Sequence, residues 1–186
     1  MFLFGHLGIG SEIVRPFSRG LGLRWILLGS ILPDLIDKPL YYLLKLGTGK
    51  SGADLFLIHG TRSLGHTGLF TLSLGLIALA RKSRLLAALS LGVLSHLLLD
   101  AFHFYLPHYI HKQGELGEVF SHIPLLWPWG GWEFPITPFS SLWDQLHQIQ
   151  SPYTLGFECM GALILFFRTP LALRALRGLP HIKPNS

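Results

Sequence analysis

Four apolar stretches, at about 21–46, 64–80, 85–106 and 153–167, dominate the chain. Each is rich in Leu, Ala and Gly and too long for a single buried strand, so the pattern predicts four main helices and an all-α fold. No internal repeat or low-complexity tract interrupts it, and 186 residues suit one domain spanning 1–186. The connection 107–152 holds four of the five tryptophans, and its centre, LLWPWGGWEFP, is broken too often by Pro and Gly for a regular helix or a central strand. Such a Trp/Pro-rich loop suits a bilayer interface or the lid of a site. The tail after Arg177 reads as loose.

Composition turns this helical pattern toward a membrane. Charged residues make up 13% of the chain and apolar residues 49%, with a mean hydropathy of +0.44, against about 25% charged in ordinary soluble domains. The net charge of +5 does not read as a nucleic-acid footprint, because the basic residues form no patch with interleaved aromatics. They flank the apolar stretches instead: Arg15, Arg19 and Arg24; Arg81, Lys82 and Arg84; Arg168, Arg174 and Arg177. Lys and Arg gather in this way on the cytoplasmic side of membrane proteins. The expectation is a membrane-embedded bundle crossing the bilayer several times, with the turn RKSR as a tight cytoplasmic hairpin. The second and third stretches are at the lower limit of length for a roughly 30 Å hydrocarbon core, so helices of a membrane-docked bundle remain the alternative. The N-terminus MFLFGHLGIGSEIV has no basic segment before its apolar residues and does not read as a cleaved signal peptide. The lone Cys159, in LGFECMGALILFF, excludes an internal disulfide or a thiolate-rich zinc site and reads as a packed core thiol.

Against this apolar background a few ionisable residues align. Counted from the centre of RKSR, His66 lies about 16.5 residues before the turn, with His96 and Asp100 about 13.5 and 17.5 after it. At about 1.5 Å per residue in antiparallel helices, His66 falls between His96 and Asp100 in height, and the i, i+4 spacing puts His96 and Asp100 on one face. In GSILPDLIDKPL, Asp34 and Asp37 share a face at i, i+3, where two carboxylates repel unless solvated or bridged by a cation. Arg62, four residues before His66, is a basic partner for them. One histidine in an apolar run is most often a hydrogen-bonded core residue. Two His and up to three Asp from three helices at one level instead suggest a metal or catalytic site, because ionisable groups at membrane depth are costly. His and Asp donors without thiolate suit Zn²⁺, with Mn²⁺ or Fe²⁺ as alternatives, and an open position there would lower the pKa of a bound water for hydrolysis. Neither a nucleophile elbow nor a P-loop is present.

Read in order, FGHLGIG, LLGSILPDLID, RSLGHT, SHLLLDAF and LLWPW resemble the inner-membrane-bound metal-dependent hydrolase family described as LexA-binding or LexA-regulated. The resemblance covers about residues 1–130 and implies a multi-pass protein of the cell inner membrane. It carries over to His6, Asp34, Arg62, His66, His96 and Asp100, and so adds His6 to the cluster. This chain departs from the family pattern in the extra residue between its aspartates, in Thr61 where a histidine is usual, with His59 two residues away, and in Gly65 and Thr67. The order of His and Asp is also similar, more loosely, to the helical zinc-dependent phospholipase C and single-strand nuclease group, which implies phosphoester chemistry on a lipid-like substrate. His103, His108, His111 and His122 read as loop or bystander histidines.

The sequence therefore predicts a membrane-bound metal-dependent hydrolase. His66, His96 and Asp100 are expected ligands and Asp34 and His6 further ligands; Asp37 bridges or supports them. Arg62 holds an anionic substrate oxygen or pairs with Asp34 or Asp37. The expected partners are the lipid bilayer and a small-molecule or lipid substrate, with no nucleic acid. The alternative is a non-enzymatic integral membrane protein whose His/Asp cluster is a structural metal site or a polar packing network.

Overall fold

A computed structural model describes residues 3–50, 52–55, 58, 60–111, 124–129, 131, 132, 134, 142–147 and 150–168. Among these residues every regular element is helical: α1 (Leu3–Ile13), α2 (Leu23–Gly29), α3 (Leu32–Thr48), α4 (Gly68–Ala80), α5 (Arg84–His111), α6 (Leu142–His147) and α7 (Pro152–Arg168). The all-α expectation holds, and the last three predicted helices appear as α4, α5 and α7. The first predicted helix is two. Ser30 closes α2 and Pro33 sits in the first turn of α3, where its missing N–H costs no helical hydrogen bond, while a second proline, Pro39, is carried inside α3. The residues before Arg15, assigned to no main helix, form α1.

The α4–α5 hairpin follows from local chemistry. Lys82 takes a left-handed conformation (φ 47°), and Ser83 N donates to Ala78 O at 2.9 Å, closing α4 with a Schellman motif. Ser83 Oγ then accepts from Leu86 N and starts α5. At the other end of α4, Thr67 Oγ1 caps Phe70 N at 3.0 Å. His66 consequently lies not on α4 but in the short 3-10 turn Leu64–His66 before it.

Two glycine crossings set the packing. A Cβ on Gly92 of α5 would run into the Ile26 carbonyl of α2, and one on Gly29 into the Leu89 carbonyl. A Cβ on Gly8 of α1 would strike the Gly161 backbone of α7, and one on Gly161 the Phe4 carbonyl. Backbones this close leave room for small residues only, the mode of helix association favoured where lipid removes the hydrophobic drive between helices. Glu158 of α7 accepts from Phe4 N (2.8 Å) and Gly5 N (3.1 Å), satisfying amides that α1 leaves open at its start. At the far end of α1, Arg168 pairs with Glu12 at 2.5 Å. Helices α1 and α7 therefore run parallel to one another, and α1 runs antiparallel to α5, with Val14 packed against Ile26 and Ala88. Replacing Glu158 by Gln leaves one acceptor of two for these amides; a fall of about 1–3 kcal/mol in stability is expected, read from thermal unfolding in detergent.

This packing gathers the basic residues of the α1–α2 connection, the α4–α5 turn and Arg168 at one end, as the sequence predicted. It also moves His6 to the opposite end, because α1 starts there. Large apolar side chains line the outer faces, among them Leu72, Leu76 and Leu79 of α4, Leu94 and Leu98 of α5, and Leu163 and Phe166 of α7. Cys159 belongs to this exposed surface and not to the core. An apolar run reads the same whether it faces lipid or protein, which is why the sequence misplaced it. Among the described residues one stretch, Arg84–His103, is long and apolar enough to cross a membrane, with a mean hydropathy of 1.9 over its window. The several crossings expected from the sequence find no such support. Gly68–Ala80 is apolar but short.

Candidate metal centre

At the end of the bundle opposite the basic turn, α1 supplies His6, α3 supplies Asp34 and Asp37, the turn before α4 supplies His66, and α5 supplies His96 and Asp100. His6, Asp37, His66 and His96 are fully buried or nearly so, and Asp100 is 8% exposed. Two overlapping groups each present one donor atom per residue within 4.8 Å of the others: His6, His96 and Asp100, and Asp34, His66 and His96. The levels counted from the hairpin are borne out, since His66 Nε2 lies 3.1 Å from His96 Nε2 and 3.7 Å from Asp100 Oδ2.

The orientation of each ring is fixed from behind. His66 Nδ1 donates to Asp37 Oδ2 at 2.7 Å, while the Ser63, Gly65 and His66 amides donate to the same carboxylate. Asp37 thus holds one imidazole and the turn that carries it, and it belongs to neither donor group. Burial alone would raise its pKa, but the hydrogen bonds from His66, Gly65 and Ser63 outweigh burial and hold the carboxyl below its ordinary range. His96 Nδ1 donates to the Ser30 carbonyl at 2.8 Å, an acceptor freed by the break between α2 and α3. Since a carbonyl only accepts, His96 is left with its Nε2 lone pair facing inward.

The meeting of His66 and His96 follows from these two bonds. With both Nδ1 atoms donating outward, the two Nε2 atoms face each other 3.1 Å apart, and neutral rings would bring lone pair against lone pair. Either a proton on one ring or a cation between them satisfies the pair. Burial would lower the pKa of His66, yet Asp34, Asp37 and Asp100 outweigh it and raise it above the ordinary value, so negative charge surrounds this point. Donor atoms held by a metal at about 2.0–2.1 Å are roughly 2.9 Å apart at right angles and roughly 3.3 Å apart at tetrahedral angles, which brackets the observed spacing. His6 adds a second unfilled demand. Its ring stacks on that of His96 with centroids 3.8 Å apart and its Nε2 lies 3.3 Å from Asp100 Oδ1, yet among the described residues neither buried ring nitrogen has a partner of hydrogen-bond geometry. Orphaned buried nitrogens of this kind call for an ion or a proton.

The two outer carboxylates each hold a cation. Asp34 Oδ2 accepts from Lys38 Nζ at 2.6 Å while its Oδ1 lies 3.6 Å from His66 Nε2. Asp100 Oδ2 is 3.0 Å from Arg62 Nη2, so Arg62 pairs with Asp100 and not with Asp34 or Asp37 as weighed from the sequence. The spacing of Arg62 and His66 implied one helical turn, but the chain there is irregular and carries the guanidinium across to α5. Arg62, His66 and Asp100 line a small pocket with Leu97, Ala101, Pro124 and Leu125, so the Pro124–Leu126 turn of the Trp/Pro-rich loop forms part of its wall. His103 bonds to Thr154 Oγ1 of α7 at 3.0 Å and takes no part in either donor group. His59 and His122 lie outside the described residues, as do the side chains of His108 and His111. Ser30 and Lys38 went unnoticed in the sequence. A backbone carbonyl carries no residue signature, and Lys38 was readable only as the i, i+4 partner of Asp34.

Fold and site together define an all-helical, lipid-compatible bundle with a buried His/Asp cluster at one end. The chain belongs to the YdjM inner membrane protein family, whose model matches residues 1–174. Its association with the inner membrane follows from that membership. No curated protein and no solved structure matches the chain.

Proposed function

We propose that the cluster is a divalent-metal centre, with zinc as the favoured ion and manganese or iron as alternatives, and that the protein is a membrane-bound metal-dependent hydrolase. The observation that carries the reading is the pair of inward-facing Nε2 atoms of His66 and His96, 3.1 Å apart with both Nδ1 atoms engaged elsewhere. Buried His6 and the inner oxygens of Asp34 and Asp100 complete the donor set. Nitrogen and oxygen donors of this kind, without thiolate, suit a catalytic site better than a structural zinc site. A divalent ion bound there supplies Lewis acidity and lowers the pKa of a coordinated water.

The chain's own residues do the rest. Asp37 and the Ser30 carbonyl hold the two imidazoles in their donor tautomers. Arg62, at the pocket and partly exposed, offers the guanidinium edge not used by Asp100 to an anionic oxygen of the substrate. A phosphoester or lipid-like substrate matches that cation and the apolar walls of the pocket. The rival reading, a proton-sharing packing network, needs neither a metal nor turnover.

The test of activity is hydrolysis of a chromogenic phosphodiester by detergent-purified, zinc-loaded protein. Turnover that disappears on chelation and returns with metal is expected; a phosphodiester left intact under every metal tested would contradict the phosphoester reading. Asp37→Asn removes the charge and leaves one acceptor oxygen where His66 Nδ1 and three amides now share two, and metal affinity is expected to fall about 10–100-fold in a competition titration. Arg62→Gln is expected to raise KM by roughly 10-fold or more with metal content unchanged, the loss of one charged hydrogen bond to substrate.

A further inference from the structure

At the basic end, away from the His/Asp cluster, a groove of about 700 Å³ runs along α4 and α5 and is bounded by Phe17 and Leu21. Its lining on α4 extends from Thr71 to Leu79, roughly 12 Å of helix. The groove is apolar along its length: Leu72, Leu76 and Leu79 form one wall and Leu91 lies opposite, while Gly75 contributes no side chain. Its polar floor is satisfied internally, with Ser90 Oγ donating to the Thr71 carbonyl at 3.3 Å. Lys82 and Arg84 stand at one mouth, both exposed, and no carboxylate among the described residues pairs with either. Glu12 of α1, which does not line the groove, is taken by Arg15 and Arg168.

We infer that this groove holds one anionic glycerophospholipid, with an acyl chain along α4 and α5 and the phosphate at Lys82 and Arg84. Charge complementarity and the inner-membrane family of the chain favour this occupant. An apolar channel ending in two cations that no described carboxylate pairs matches an amphiphile with an anionic head, and basic pockets between helices are a recurrent form of lipid head-group site. A second copy of the chain fits less well. A two-fold contact along this face would bring the Lys82 and Arg84 cations of both copies together without a carboxylate to offset them.

Native mass spectrometry of the full-length protein, delipidated in detergent and titrated with phosphatidylglycerol or phosphatidylcholine of identical chains, tests the inference. One phosphatidylglycerol per monomer is expected, bound roughly 25-fold tighter than phosphatidylcholine, about fivefold for each basic residue near the phosphate. The variant Lys82→Gln/Arg84→Gln, altered only on the surface, is expected to bind both lipids alike. Glycerol phosphate, which has the head group without chains, is expected to leave no adduct. Equal retention of the two lipids by the wild type, a preference that survives in the double variant, an adduct with glycerol phosphate, or a lipid-free dimer would each overturn the assignment.

Discussion

Gly92→Val is expected to separate α2 from α5 and to cost the protein both stability and metal. The Cβ meets the Ile26 carbonyl and the backbone of Gly29 and Ser30, atoms that no change of rotamer can move aside. Overpacking usually costs about 1–3 kcal/mol where side chains can yield; here two backbones must part, so about 3 kcal/mol or more is expected. For a chain of this size that is roughly a 6–12 °C fall in unfolding midpoint, measured in detergent. The shift also moves Ser30, whose carbonyl holds His96 Nδ1, so metal content should fall with stability. Gly156→Ala is the control: a Cβ there meets nothing within 4 Å, and the change should be neutral or slightly stabilising. A Gly92→Val protein that melts like the wild type would show that α2 and α5 do not cross as described.

His96→Ala is expected to abolish the response of the protein to metal. His96 belongs to both donor groups and is the stacking partner of His6, so its loss breaks both sets. In wild-type protein a ligand bound only by the folded state, at a thousandfold excess over its Kd, adds about 4 kcal/mol of stability. That corresponds to a rise of roughly 8–16 °C in unfolding midpoint on adding zinc. The variant should show little or no rise. Without metal the comparison changes character, because removing His96 also removes one of two lone pairs held nose to nose; a loss of stability in metal-free protein smaller than the zinc-dependent gain of the wild type is therefore expected. If His96→Ala instead destabilises metal-free protein heavily and zinc shifts neither form, the cluster is a packing network.

The parts of this arrangement legible in the sequence are those fixed by local spacing. RKSR marked a hairpin, and the rise per residue on its two arms was enough to level His66 with His96 and Asp100, although His66 proved to sit in a turn and not on the helix. The i, i+3 spacing of Asp34 and Asp37 was visible, but not that the two carboxylates would straddle one imidazole, Asp34 beside Nε2 and Asp37 on Nδ1. That depends on how the 63–66 segment folds over α3. His6 could be placed only through the family resemblance, since nothing local reveals that α1 begins at the cluster end. The reason lies some 150 residues away, where Glu158 caps α1 and Gly161 receives Gly8. Long-range backbone contacts between glycines leave no pattern in hydropathy, and the apolar runs containing them look the same from every side.

The buried His and Asp side chains are expected to hold a divalent ion. Metal analysis of detergent-purified protein, prepared without chelator and measured for the wild type beside His96→Ala and Asp100→Ala, tests it most directly. At least about one divalent ion per wild-type chain is expected, zinc foremost, with strong depletion in both variants. Wild-type protein free of divalent metal, or metal retained in both variants, would contradict it.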